Sequence, residues 1–415
     1  MSELENWIWL SQLRCLRVRT RMALLERFAN ATEIRMAERR ELERLEGITP
    51  QEVEALQAPA NGDAVRILRR CEEEDVQIVT IQDAVYPERL RNIPDPPFVL
   101  YLKGHLPAVD AEPVIAVVGT RSSTPYGEKM ARNIGYEIAA RGGIVCTGLA
   151  AGIDSRAAQG ALLAGGKVIG VLGVPINEVF PRNNKGLYED VKANGVLISE
   201  YPPDMGVGKA GFPQRNRIIA GLSLGTVVAE APIRSGARIT ANFALEYGRD
   251  VFAVPGNADA ANSRGCNALL REGAILTENG WDVLKEYEAR FPERIHKEGS
   301  GEIPEEYVLP ENDPATRSTE VGTRLKEFFK FRAPVKKAAS PQGSSGTVLG
   351  DQLAGLTENQ LKLVGVMGKP SMHVDDIIDL SRLPAATVLS ELTMLQIKGF
   401  VTQEHGKRFT LNIQS

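Results

Sequence analysis

Four stretches of the 415-residue chain gather the residue types that hold phosphates. Gly119-Thr120-Arg121 and Gly148-Leu149-Ala150-Ala151-Gly152-Ile153-Asp154 are two of them. Phe212-Pro213-Gln214-Arg215-Asn216-Arg217 and Ser235-Gly236 are the others. Backbone N–H groups at helix starts, glycines that permit close approach and forked guanidinium groups together make an anion-binding surface. Between Asp204 and Glu230 there is no acidic residue, whereas Lys209, Arg215 and Arg217 all fall inside that interval. Such a local field lets a chain of net charge −4 hold a polyanion. Taken singly, Arg215 and Arg217 read equally well as salt-bridge partners within the domain. Their company, Arg121 and Lys185, favours an anion site.

The same regions are poorly equipped to break bonds. No G-x-G-x-x-G follows the first strand of the central region. Gly166-Lys167 precedes a strand and lacks the following Ser or Thr, and Gly208-Lys209 is followed by Ala210, so no phosphate-binding P-loop is present. All four histidines (His105, His296, His373 and His405) lie outside residues 113–290, which removes the commonest general base. Asp154 reads as a helix cap and Glu246 as a mid-helix surface residue. Cys15, Cys71, Cys146 and Cys266 form no C-x-x-C pair. The expectation is a binding protein with no catalytic residue, no metal and no cofactor.

These residues need a scaffold, and the pattern of the chain supplies one. Short β-branched runs occur at 114–118, 143–147, 168–172, 196–199, 226–229, 251–254 and 274–276. Between them lie helical stretches, such as one with Met130, Ile134 and Ile138 and another with Phe243, Leu245 and Tyr247. Repeated β-α units predict an α/β fold with a Rossmann-like, doubly wound parallel sheet. In such a sheet ligands bind at the carboxyl ends of the strands, where the four stretches fall.

Four segments are expected: a helical module at 1–75, the Rossmann-like core at 76–290, a linker at 291–350 and a winged helix at 351–415. In the first, Trp7, Leu10, Leu13, Met22, Leu25, Phe28, Leu42 and Leu45 follow helical spacing. Gly47 ends one helix, and Thr49 with Pro50 opens the next, giving a SAM-like or helix-hairpin-helix module. This module is acidic, which favours docking over phosphate binding. The linker loses periodicity around Ser340-Pro-Gln-Gly-Ser-Ser-Gly346. In the last segment helices from Thr357, over 374–380 and over 384–398 precede a hairpin around Gly406; the third helix carries Glu391 and only Lys398, unlike a DNA-reading helix. No window approaches the roughly 18 apolar residues of a membrane span, and the acidic N-terminus is unlike a signal peptide, so a cytoplasmic location is expected.

At its motifs the chain resembles the DNA-processing protein A (DprA/Smf) family. The resemblance rests on Gly119-Thr120-Arg121, the Gly148–Asp154 loop, the run from Phe212 to Ser223 and Ser235-Gly236 through Thr240-Ala241. It continues through Ala244-Leu-Glu246, Gly248–Gly256, Gly265-Cys-Asn267 and Gly273-Ala274, with Tyr86-Pro87 and Asp95-Pro-Pro97 at its entry. It implies a dimeric single-stranded-DNA-binding protein that protects incoming DNA in natural transformation. It also implies a partner, the RecA recombinase, loaded onto strands covered by single-strand-binding protein. By motif, Gly119, Thr120, Arg121, Gly148, Lys185, Phe212, Arg215, Asn216, Arg217, Ser235, Gly236 and Asn267 would form the DNA site. The family's usual Ser-Gly-Ser-Leu is Ser235-Gly-Ala-Arg238 here, one hydroxyl fewer and one cation more. The competing expectation is an enzyme of the LOG-type phosphoribohydrolase class, whose Pro-Gly-Gly-x-Gly-Thr-x-x-Glu motif is absent.

Overall fold

Val, Ile and Ala crowd the short runs because six of the seven become strands covered on both faces, the seventh forming an exposed edge. The computed structural model describes residues 2–59, 62–208 and 211–297 and part of 360–411. Its parallel strands are β3 (Val114–Gly119), β4 (Ile144–Thr147), β5 (Val168–Leu172), β6 (Gly195–Ser199), β7 (Gly225–Glu230), β8 (Asp250–Ala253) and β9 (Ile275–Leu276). Two further strands, β1 (Gln77–Thr80) and β2 (Val99–Gly104), extend the sheet antiparallel, with Tyr101 opposite Ser199 and Ile78 opposite Tyr101. The sheet is therefore mixed, where the run pattern alone predicted a parallel one. Its order is β1-β2-β6-β5-β4-β3-β7-β8-β9.

That order sets the position of the site. From β3 the chain steps through β4 and β5 to β6, then returns to β7 on the other side of β3. Connections therefore leave β3 and β7 in opposite directions, and the crevice between them is the topological switch point. The helices leaving the strands are α8 (Pro125–Ala140), α9 (Ile153–Leu163), α10 (Lys185–Ala193), α11 (Gly211–Leu222), α12 (Gly236–Glu246), α13 (Arg264–Arg271) and α14 (Gly280–Leu284). Ile134 and Ile138 of α8 are buried as the spacing predicts. On α12 the expectation is corrected: Ala237, Ala241 and Ala244 face the core, and Leu245 is 57% exposed. Residues 237, 241 and 244 share a helix face. Phe243 and Tyr247, one turn apart, stack with ring centroids 5.9 Å apart and pack partly buried against the core, and Leu245, two positions from each, turns away.

Ahead of the sheet, α1 (Glu3–Gln12), α2 (Val18–Arg27), α3 (Ala31–Met36), α4 (Arg39–Leu42), α5 (Pro50–Gln57) and α6 (Asp63–Glu73) join the same hydrophobic core, as does the short α7 (Glu88–Arg91) between β1 and β2. Trp7 packs on Phe98, ring centroids 5.8 Å apart. Thr49 and Glu52 form a reciprocal capping box at the start of α5. The buried Glu52 carboxylate also accepts from the Arg17 guanidinium and the Thr20 hydroxyl, each at 2.8 Å. Burial would raise the Glu52 carboxyl, but hydrogen bonds from Arg17 and Thr49 prevail and hold it well below the usual carboxylate range. A lowered folded value contributes stability above the unfolded value, about 4.3, and that contribution is lost as pH falls. On acidification, the urea midpoint of the wild type is expected to fall more steeply than that of Glu52→Gln. Parallel curves would exclude this role.

The described residues up to 297 belong to one compact unit and those from 360 onward to another. In the second, β10 (Met372–His373), β11 (Val401–Glu404) and β12 (Arg408–Leu411) form an antiparallel sheet of order β10-β12-β11. Leu363, Ile377, Val388, Leu392 and Leu395 pack with Val401 and Phe409. The hairpin falls where expected, and β10 adds a strand that the spacing did not reveal. The expected linker lies outside the described residues from 298 onward. Among the described residues no helix is long and apolar enough to cross a membrane.

Candidate nucleic-acid interface

At the switch point a cavity of about 770 Å³ opens between the ends of β3 and β7. Gly119, Thr120 and Arg121 line it after β3, Ala150 and Asp154 after β4, and Val174, Glu178 and Phe180 after β5. The α11 residues Phe212, Pro213, Arg215, Asn216 and Ile219 form another wall. Positions 212, 215, 216 and 219 recur at helical spacing, so a single face of α11 meets the cavity. Pro232, Arg234, Ser235 and Gly236 complete the lining at the start of α12. Neither α11 nor α12 has an acid in its first turn, and Ser235 caps α12 by accepting from the Ala237 N–H at 3.2 Å, so no carboxylate opposes an anion at either helix start.

The mouth and the floor of this cavity differ in their electrostatics. At the mouth Arg121 is exposed, its guanidinium carbon 4.7 Å from the Phe212 ring centroid and 6.0 Å from that of Phe180. The two rings lie 5.0 Å apart. Among the described residues neither Arg121 nor Arg234 pairs with a carboxylate, which leaves both guanidinium groups available. In the floor Arg215 is buried and donates to the carbonyls of Gly148, at 2.7 Å, and Val171. Its Nε donates to Asn216 Oδ1 at 3.2 Å, and Asn216 Nδ2 donates to the Gly236 carbonyl at 3.2 Å. Arg215 thus knits β4, β5 and α11 together. Burial lowers the Arg215 guanidinium from its usual value, opposed by Asp154. Burial likewise raises Asp154, opposed by Arg215 and by backbone N–H donors including Gly119, at 3.3 Å, and Gly148, at 3.1 Å. Asp154 lies inside the first turn of α9, whose N-cap is Gly152, and its carboxylate ties the ends of β3 and β4 together through Gly119 and Gly148, which corrects the expected helix cap.

A second carboxylate is used in the same way. Glu230, buried at the end of β7, accepts from the Thr124 N–H at 2.8 Å and from the Thr124 hydroxyl at 2.6 Å. Thr124 in turn caps α8 through the Gly127 N–H. A Cβ on Gly127 would stand 2.3 Å from Glu230 Oε2, which requires glycine there. The start of α8 is the usual phosphate position of a dinucleotide-binding fold, and here a side chain occupies it. The thiols of Cys71, Cys146 and Cys266 are each pushed by burial up to about 12, so none is a thiolate nucleophile near neutral pH.

A family model described as DNA recombination-mediator protein A matches residues 77–288, the whole sheet domain. The chain belongs to the DNA processing protein A (DprA/Smf) family. A model of the DprA winged helix domain matches residues 350–407, which makes the C-terminal unit a winged helix. The chain is 31% identical to the Smf protein of Synechocystis over 420 residues, 98% of both chains. It is 42% identical to DprA of Streptococcus pneumoniae over 213 residues, 50% of this chain and 73% of that one. The crystal structure of DprA from Streptococcus pneumoniae superposes with a TM-score of 0.60 at 34% identity, over 68% of this chain and 97% of that chain.

Of the twelve site residues expected in this DprA/Smf chain, the fold brings eight to the cavity: Gly119, Thr120, Arg121, Phe212, Arg215, Asn216, Ser235 and Gly236. Four lie elsewhere. Gly148 packs beneath Arg215, where a Cβ would stand 2.4 Å from the guanidinium, so its glycine serves that contact. Arg217 points away from the cavity and pairs with Asp95 at 3.0 Å and Glu200 at 2.6 Å. Two residues apart on a helix, side chains do not share a face, so Arg215 and Arg217 diverge; that spacing was legible in the sequence. Asn267 spends its amide on both backbone groups of Gly256, at 3.2 and 2.9 Å. Lys185 is exposed at the start of α10, outside the cavity lining. Lys209 lies outside the described residues. Arg238, the extra cation of the departing motif, is held by Glu272 through contacts of 2.9 and 3.0 Å. Phe180 and Arg234, outside the twelve, also line the cavity; both stand in loops that follow strands, the local signal by which the sequence places them on this rim.

Proposed function

We propose that this cavity binds single-stranded DNA through its backbone phosphates, and that the protein protects the strand and loads RecA onto it during DNA uptake. The observation that carries this reading is Arg121, a guanidinium with no carboxylate partner among the described residues, held over two aromatic rings at the mouth of a cavity that the starts of α11 and α12 line. Aromatic faces and unpaired cations are what a flexible strand needs, because every base offers a π-face and every linkage a charge. A duplex would have to bring stacked bases to the same rings, so single strands are favoured. Family membership supports the DNA-processing role. The nucleotide-cleaving alternative is disfavoured by Glu230, which fills the phosphate position at α8.

The protein acts in this reading as a homodimer, for which the exposed Leu245 of α12 and Leu276 of the edge strand β9 offer apolar surface. It performs no chemistry in this reading: Asp154 ties the ends of β3 and β4 together, and Glu230 holds Thr124 at the start of α8. A salt-dependent gel shift is expected to favour single over double strands. With strands covered by single-strand-binding protein, adding the chain is expected to raise RecA's ATPase while the chain alone hydrolyses neither ATP nor DNA. Intact strand binding with no gain for RecA at any ratio would reduce the reading to a protective binder.

A further inference from the structure

The segment from Glu200 to Gly208 links β6 to α11, and its last residues, Val207 and Gly208, line the cavity. Three arginines of the N-terminal helical module grip this segment at separate points. Arg14 stands 3.0 Å from the Met205 sulfur and lies over the Tyr201 ring at 5.6 Å. Arg21 pairs with Asp95 at 2.9 Å and approaches Glu200 to 4.0 Å, joining the two carboxylates that hold Arg217 of α11. Arg70 of α6 meets Asp204 at 2.6 Å. Asp204 has a left-handed backbone, φ 61°, and Asn177 fixes both its carboxylate, at 2.8 Å, and its N–H, at 3.1 Å. Tyr201 passes the constraint to α11 by donating from its hydroxyl to Gln214 Oε1 at 2.9 Å.

Resting on the reading of the cavity as a strand site, we propose that the N-terminal module sets the protein's affinity for single-stranded DNA without touching it. It does so by positioning the Glu200–Gly208 wall, with Arg70 and Asp204 as the central positioning pair. A groove of about 620 Å³ lined by Arg14, Arg66, Arg70 and Pro202–Gly206 lies at this junction. It is a poor phosphate track: Arg66 pairs with Asp63 at 2.7 Å, and Arg70 meets Glu73 and Glu74 as well as Asp204, at 2.7, 2.6 and 2.6 Å. A phosphate there would have to displace those carboxylates.

Positioning and direct contact predict opposite results. In the full-length chain, anisotropy titrations of an oligothymidylate across a salt series are expected to show Arg70→Ala binding several-fold more weakly, with an unchanged salt slope, since no phosphate contact is lost. Asp204→Ala is expected to weaken binding too, although removing an acid near a polyanion site would by charge alone strengthen it. Exchanging the charges, Arg70→Asp with Asp204→Arg, should recover part of the loss. Hydrogen exchange of amides 201–208 without DNA should rise in Arg70→Ala. A slope reduced in Arg70→Ala, or tighter binding by Asp204→Ala, would overturn positioning in favour of a strand running through the groove. Unchanged exchange and affinity in both variants would overturn it outright. Raised exchange in a chain whose wild type binds no strand would instead overturn the reading of the cavity.

Discussion

Arg217→Ala is expected to destabilise the sheet domain by about 3 kcal/mol, the lower end for a broken buried pair, because the buried guanidinium is lost while its partners are only partly buried and Asp95 keeps Arg21 at 2.9 Å. Asp95 and Glu200 lie 3.0 and 2.6 Å from Arg217, and the arginine itself is only 5% exposed. Arg21 alone cannot replace it, standing 4.0 Å from Glu200. Arg217→Lys should recover only part of the loss, since one ammonium cannot present the two-armed fork that spans both partners. The urea midpoint measures the effect. Below that midpoint the variant should keep the wild-type salt slope for strand binding, because Arg217 faces away from the cavity. A stable variant with a reduced slope would return Arg217 to the phosphate contacts.

Arg121→Ala is expected to have the complementary outcome: a normal urea midpoint and at least about a tenfold loss of single-strand affinity, or roughly 1.4 kcal/mol. The loss should be uniform across base sequences, and the salt slope should fall by about 0.7 for the one phosphate released. Arg121→Lys keeps the charge and gives up planar stacking on Phe212, so it should restore the slope more fully than the affinity. Phe212→Ala should weaken binding with little change of slope, as stacking is lost but no cation. Equal affinities for the wild type and Arg121→Ala at every salt concentration would exclude the mouth of the cavity as the strand site.

The contrast between these two arginines shows how far the sequence could be read. The runs that became β3 to β9 were visible because strands covered on both faces must be apolar throughout, a local property. β1 and β2 were not, since β2 pairs with β6, nearly a hundred positions along the chain, and nothing local announces an antiparallel edge. Residue types at the strand ends pointed to the cavity because helix starts and glycines are local as well. Which cations remain available was decided by distant partners: Asp95 and Glu200 for Arg217, Glu272 for Arg238. Helical phase alone separated Arg215 from Arg217, and that much needed no coordinates. Asn267, quoted with the DNA motif, turned out to clamp Gly256, a role only the folded loop reveals.

Glu230 gives the strand-binding reading a consequence for competition. A mononucleotide offers a single phosphate group, and in this fold class that group would seek the start of the helix after the first parallel strand. Here it would have to evict a carboxylate that already satisfies Thr124 and is sealed behind Gly127. In the proposed reading a strand has no need of that position, because its charges would meet Arg121, Arg234 and the starts of α11 and α12, all of which line the cavity. The protein would then discriminate against a mononucleotide and in favour of a strand. On the same reading, ATP consumed by a recombinase partner would not compete with the strand for the cavity.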